Sequence, residues 1–322
     1  MSPVKRFWYH NAFDAHSVPE RLSRRGVPPQ GLSYNGRMAI SRRRFVSTAL
    51  ATAASAGAQP RPPKPPRART GPVLCLYSKM VPEVEYPDLG HVLSGMGFDG
   101  CDLSVEPGGT VLPEQTPVDL VRAIEIFSGS GIEMPVITTA FQSIGEPWAR
   151  NVIAIAARSG ALFFRTGYSR RVGVSIADRR NEIAGLVFYA RAANIGMGLP
   201  YPGSEMLMRD LDPQWVGYDF DTALGTTQGS LAEALPRVRM IVLRDIRKEK
   251  DQTMPCPLGE GVVDWPAFFT ALARARFSGP LTLRIDYPVE NRVRAIRHDL
   301  EFARKQLNAA YQKEIDATSH RP

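Results

Sequence analysis

The chain is poor in cysteine and histidine and has no long apolar run. Its 322 residues include three cysteines and five histidines. Three thiols, Cys75, Cys101 and Cys256, cannot supply the multi-bridge framework that staples small secreted domains. The fold must rest on a hydrophobic core, for which a 43% hydrophobic content is ample. No apolar stretch approaches the roughly 20 residues needed to cross a bilayer, so no stable membrane span is expected. A basic surface is also missing where it would matter. The formal charge is +8, but residues 1–58 hold nine Lys/Arg against two Asp/Glu, and Arg61, Lys64, Arg67 and Arg69 follow closely. Residues 71–322 are left with a net charge of −3, which excludes the cationic footprint of a nucleic-acid binder.

The basic N-terminal stretch has an order of its own. Ser41-Arg42-Arg43-Arg44-Phe45-Val46 is followed by a weakly hydrophobic segment ending in Ala56-Gly57-Ala58. The pattern resembles a twin-arginine export signal, with cleavage expected after Ala58. Residues 1–58 then form a leader and signal peptide whose start is best placed at Met38. The resemblance implies a periplasmic or otherwise exported protein that meets the twin-arginine translocase during export. Residues 59–71, with five prolines between Pro60 and Pro66, read as an extended linker.

From residue 72 short β-branched runs alternate with amphipathic stretches, the pattern of a parallel α/β fold. Strands are expected at 73–78, 98–105, 133–138, 161–165, 197–201, 216–222, 240–244 and 281–286. Helices are expected near 89–93, 118–127, 147–158, 231–235, 265–275 and 292–308, with the longest at 176–193. The fifth unit is short, with room only for a brief helix around 206–210, and a long loop follows the seventh strand. Eight such units over residues 72–310 predict a single-domain α/β fold, a (β/α)8 TIM barrel with a shortened fifth unit. Residues 311–322 are expected to be a disordered tail. Cys75 and Cys101, at the starts of neighbouring strands, are expected as buried free thiols, with a bridge between them as the alternative.

Several segments carry a family likeness. They are Gly97-Phe98-Asp99-Gly100-Cys101-Asp102-Leu103, Pro107-Gly108-Gly109, Val111-Leu112-Pro113-Glu114, Phe164-Arg165-Thr166-Gly167-Tyr168 and Val216-Gly217-Tyr218-Asp219-Phe220-Asp221. Pro257-Leu258-Gly259-Glu260-Gly261-Val262-Val263-Asp264-Trp265, Phe277-Ser278-Gly279-Pro280-Leu281 and Asp286-Tyr287-Pro288 complete the set. In combination and order they resemble the xylose-isomerase-like sugar isomerase/epimerase superfamily, in particular its twin-arginine-exported bacterial members. The resemblance implies a barrel whose strand ends hold a divalent metal on a sugar's adjacent oxygens, with flanking acids moving a proton between neighbouring carbons.

This chain departs from that pattern. Asp221 ends the sixth strand, and Asp286 stands where the family has Glu at the eighth. The imidazole positions hold Val242 and Thr110, and the fifth strand offers Leu199-Pro200-Tyr201-Pro202-Gly203. His10, His16, His91, His298 and His320 all lie away from expected strand ends. Two carboxylates without an imidazole make a weak metal site, so a divalent cofactor is disfavoured, with Asp221 and Asp286 its candidate ligands. Arg244 can supply the missing charge by pairing with Asp221 or Asp219.

Asp221, Asp286, Arg244 and Glu260 are therefore the candidate catalytic residues, although the glycines flanking Glu260 also suit a loop-shaping role. Lys79, Arg165, Tyr168, Asp219, Asp245 and Lys248 are the candidate substrate-binding residues. They would hold a small carbohydrate or sugar acid, or else merely balance one another's charge. Two functions stay open: sugar isomerase/epimerase-type acid/base chemistry, and a non-catalytic barrel that binds a carbohydrate or a partner protein after losing the family metal site.

Overall fold

The computed structural model describes residues 71–167, 173–250 and 252–319. The expected export segment, the expected linker up to residue 70, and Tyr168 lie outside them.

Apolar runs buried on both faces form a parallel sheet that closes on itself. In chain order the elements are β1 (Val73–Tyr77), α1 (Tyr86–Met96), β2 (Gly100–Val105), α2 (Thr116–Gly129), β3 (Glu133–Thr139), α3 (Ala149–Arg158), β4 (Phe163–Arg165) and α4 (Ile176–Ala193). Then come β5 (Gly196–Tyr201), β6 (Val216–Asp221), α5 (Thr222–Gln228), α6 (Leu231–Ala234), β7 (Val238–Leu243), β8 (Asp245–Glu249), β9 (Gln252–Cys256), α7 (Trp265–Arg274), β10 (Pro280–Leu283) and α8 (Arg292–Ser319). The barrel order is β1-β10-β7-β6-β5-β4-β3-β2. It closes where Val73 to Leu76 pair with Pro280 to Leu283. The eight strands and the shortened fifth unit, which has only a 3-10 turn at Glu205–Leu207, follow the sequence expectation.

Three segments depart from it. Thr222 belongs to a helix rather than to the sixth strand. The Asp221 carboxylate caps α5 by accepting the amides of Ala223 (3.0 Å) and Leu224 (3.2 Å), satisfying orphan donors of a segment with no apolar periodicity. The loop expected after the seventh strand is the antiparallel hairpin β8–β9, registered from Asp245 opposite Cys256 to Glu249 opposite Gln252. The longest helix is α8, at 28 residues, and it runs through most of the expected tail. Tyr311 anchors it there by donating its hydroxyl to the Phe277 carbonyl at 2.5 Å.

Asp245, expected at the ligand site, instead organises the loop that follows the hairpin. Its buried carboxylate accepts the amides of Gly259 (3.0 Å), Gly261 (3.3 Å) and Val263 (3.3 Å) and the indole N–H of Trp265 (2.8 Å). The glycines around Glu260 are explained by this knot. Gly259 has φ +91°, and a Cβ on Gly261 would sit 2.0 Å from Asp245 Oδ1.

All three cysteines are free and buried. Register sets Cys75 opposite Gly100 and Cys101 opposite Leu76, so the two thiols face opposite sides of the sheet and cannot join. Burial, with the charge of Asp102 beside them, pushes both thiols well above their ordinary range, and burial pushes Cys256 up to about 11. A chromogenic thiol reagent at pH 8 should therefore find no reactive cysteine in the native chain and three after unfolding without reductant. A count of one after unfolding would reveal a bridge.

Candidate ligand site at the barrel mouth

Side chains alternate along each strand, so polar residues at inward positions meet inside the barrel or at its mouth. Deepest is Arg165, at the end of β4. Its Nε and Nη2 donate to Asp219 at 2.5 and 3.1 Å, and its Nη1 donates to Asp102 and to Thr138 Oγ1, the latter at 2.6 Å. Thr138 in turn donates to Asp102 at 2.7 Å. β4 neighbours neither β2 nor β6, so these contacts cross the barrel interior. Gly198 leaves room beside them, since a Cβ there would lie 2.7 Å from Met240 Cε. Burial alone would press the guanidinium toward neutrality. The fields and hydrogen bonds of Asp102 and Asp219 outweigh it and hold Arg165 firmly charged. Arg165 and Asp219, expected to touch a ligand, are thus enclosed in an internal ion triad.

A second guanidinium lies nearer solvent. Arg244, just past β7, donates to Asp221 Oδ2 through Nε (2.9 Å) and to Asp286 through Nη1, and its Nη2 forms an ion pair with the same Asp221 oxygen at 2.8 Å. Both carboxylates expected to act in chemistry are thereby brought together. Asp286 remains one-third exposed, whereas Asp221 is shielded, with its other oxygen capping α5. Burial raises the Asp221 carboxyl above its ordinary range, and the Arg244 charge only partly offsets this.

Around the rest of the rim, Lys79 pairs with Glu106 at 3.0 Å, and Tyr77 donates to the same oxygen at 2.8 Å. Thr110 joins Ser78 and Ser104 in a closed hydroxyl cluster at 2.8 to 3.1 Å. Arg284, just past β10, places its guanidinium carbon 4.2 Å from the Tyr77 ring centre. Lys248 is exposed on β8 and Glu260 is exposed on the loop beyond β9, and neither contacts the Arg244 cluster. Asp102, Glu106 and Arg284 were missed by the sequence reading. Inward parity in the runs Cys101-Asp102-Leu103-Ser104 and Leu283-Arg284-Ile285-Asp286 was the signal available for two of them.

No family model matches this chain, and no curated protein matches it. Solved structures do. An L-ribulose 3-epimerase superimposes with a TM-score of 0.57 at 15% identity, over 78% of this chain and 100% of that one. A xylose isomerase-like TIM barrel protein from Mycobacterium smegmatis, in complex with magnesium, gives 0.59 at 16% identity, over 75% and 98%. A xylose isomerase domain protein from Planctomyces limnophilus gives 0.57 at 16%, over 76% and 99%. The chain has the xylose isomerase-like barrel fold. At these identities the likeness establishes the architecture, and the chemistry has to be argued from the mouth itself.

A divalent metal is the group this fold brings to mind, and the residues present do not fit one. Hard cations need several oxygen donors, or imidazoles, converging on one point. Here Arg244 stands between Asp221 and Asp286, while Val242 and the engaged hydroxyl of Thr110 stand where the sequence resemblance leads one to expect imidazoles. Among the described residues no group of three or more His, Cys, Asp or Glu is arranged to hold a metal.

Removing Arg165 should leave Asp102 and Asp219 buried and uncompensated. Arg165→Met is expected to lower unfolding free energy in urea by about 3–5 kcal/mol. A loss below about 1 kcal/mol, the range of a surface pair, would show that the triad is not sealed from water.

Proposed function

We propose that the mouth of this barrel binds a carbohydrate without a metal, as a ligand-binding member of its fold rather than a metal-dependent isomerase. The observation that carries this reading is the Asp221–Arg244–Asp286 clamp. It fixes a planar donor between two acceptors at or just beyond the ends of β6, β7 and β10, and it neutralises the two carboxylates that were the candidate metal ligands. A fixed guanidinium with a part-exposed carboxylate beside it presents donors and acceptors side by side, which suits vicinal hydroxyls. The solved sugar epimerases of the same fold, among them a D-psicose 3-epimerase from Clostridium cellulolyticum H10 in a structure with D-tagatose, support a carbohydrate as the ligand class. With the twin-arginine segment, the proposal is of an exported binding protein.

Arg244→Ala should weaken sugar binding roughly ten- to a hundredfold by calorimetry, the effect of losing hydrogen bonds to a charged group. Mn²⁺ or Mg²⁺ should leave the affinity of the unmutated chain unchanged. A metal-dependent gain of tenfold or more would overturn the metal-free reading.

One observation favours the enzymatic alternative. The Asp221 carboxyl is raised by burial, as proton-transferring acids often are. In that reading Asp221 and Asp286 move the proton and Arg244 polarises the carbonyl. Incubation with ketoses in D₂O, followed by NMR, separates the two. The binding reading expects no exchange of carbon-bound hydrogen, whereas exchange abolished by Asp221→Asn would establish the enzyme.

A further inference from the structure

Among the described residues, three cations at or beneath the mouth already have carboxylate partners. Arg165 has Asp102 and Asp219, Arg244 has Asp221 and Asp286, and Lys79 has Glu106. Arg284 has none within ion-pair distance. It shares the inward parity of Thr282, whose register partners are Cys75 on β1 and Val242 on β7. The guanidinium rests over the Tyr77 ring, whose hydroxyl is held by Glu106, so its direction is set from below. The buried Nε of Arg284 has no hydrogen-bond partner, and neither has the Oγ1 of Thr282 one inward position deeper. A buried guanidinium donor left unmet, with a buried unmet hydroxyl two residues earlier on the same strand, is costly unless an acceptor completes it.

We propose that Arg284 is an anion-recognising subsite, and that the ligand of this barrel is a sugar acid whose carboxylate is bound by this guanidinium. The inference rests on the carbohydrate reading above and narrows its ligand class. Stacking on an aromatic face leaves the edge of a guanidinium free, and that edge matches the two oxygens of a carboxylate. Charge decides against a phosphate dianion. Glu106 holds the hydroxyl of the Tyr77 ring beneath Arg284 and the part-exposed Asp286 lies two residues further along the chain, and one guanidinium balances one negative charge but not two. The neighbouring carboxylates are already paired with Lys79 and Arg244, so a singly charged ligand meets Arg284 as its open partner.

The test uses matched ligands that differ only in the anionic group. Calorimetry on the full chain would compare gluconate with sorbitol, glucuronate with glucose, and galacturonate with galactose, with glucose 6-phosphate as the phosphate arm. For at least one pair the acid should bind ten- to a hundredfold tighter than its neutral partner, the scale of a charge-assisted contact. Arg284→Gln should erase that difference, and Arg284→Lys should keep part of it. Phenylglyoxal modification at Arg284, mapped by mass spectrometry, gives a readout that needs no variant: the acid should protect and the polyol should not. Equal affinity for acid and neutral sugar would overturn the carboxylate subsite while leaving carbohydrate binding intact. Tighter Arg284-dependent binding of the phosphate would overturn the carboxylate assignment. Failure of every sugar and acid to bind would remove the carbohydrate reading and the subsite with it.

Discussion

A guanidinium sealed between two carboxylates inside the barrel is the constraint on which the rest of the site depends. Ions cannot be taken out of water singly, so Asp102, Arg165 and Asp219 have to be buried together, in one geometry. Their hydrogen bonds tie β2, β3, β4 and β6 to one point across the interior, and the Thr138 hydroxyl fills the remaining valence. A hydrophobic filling of the same volume would tolerate small shifts between strands. The triad does not, because any strand that slides leaves an unpaired charge in a medium that cannot screen it.

The same chemistry recurs nearer solvent with a different result. Arg244 repeats the carboxylate–guanidinium–carboxylate order, but its far carboxylate, Asp286, faces water. Asp221 serves two masters: it holds Arg244 with one oxygen and begins α5 with the other. The position of Arg244 is therefore coupled to the start of a helix, and the Thr222 hydroxyl reinforces the link by accepting the Arg244 amide at 2.8 Å and donating to its carbonyl at 2.5 Å. The mouth of the barrel is built from parts that also hold the backbone in place, which keeps its few polar side chains still.

The barrel was legible in the sequence because fully buried parallel strands read as short apolar runs, and β1, β3, β5 and β6 fall where those runs are. The pairing of Arg244 with Asp221 was legible for a related reason: both end strands, and strand ends converge at the mouth. What escaped the reading depends on contacts between residues distant in sequence. Asp245 looked like a mouth residue because it follows a strand directly, yet its carboxylate is consumed by amides up to 18 residues further on. Arg165 looked open to ligand because no local signal reveals that Asp102 lies across the barrel from it. α5 has no periodicity to display and exists through its cap. The extension of α8 is tied down by a tertiary contact, the Tyr311 hydroxyl reaching back to a turn 34 residues earlier.

That last contact has a topological consequence. The Tyr311 ring also lies against Gly71, where a Cβ would be 3.3 Å from its edge, so the start of the barrel and the late turns of α8 meet at the face opposite the mouth. Joined there by a short linker, the chain could be reopened at the tip of the β8–β9 hairpin, giving a circular permutant with every barrel strand and both guanidinium clamps in their original order around the ring. New termini at that tip would lie on the Arg244 side of the molecule. A reporter domain fused there would sit beside the Arg244 clamp.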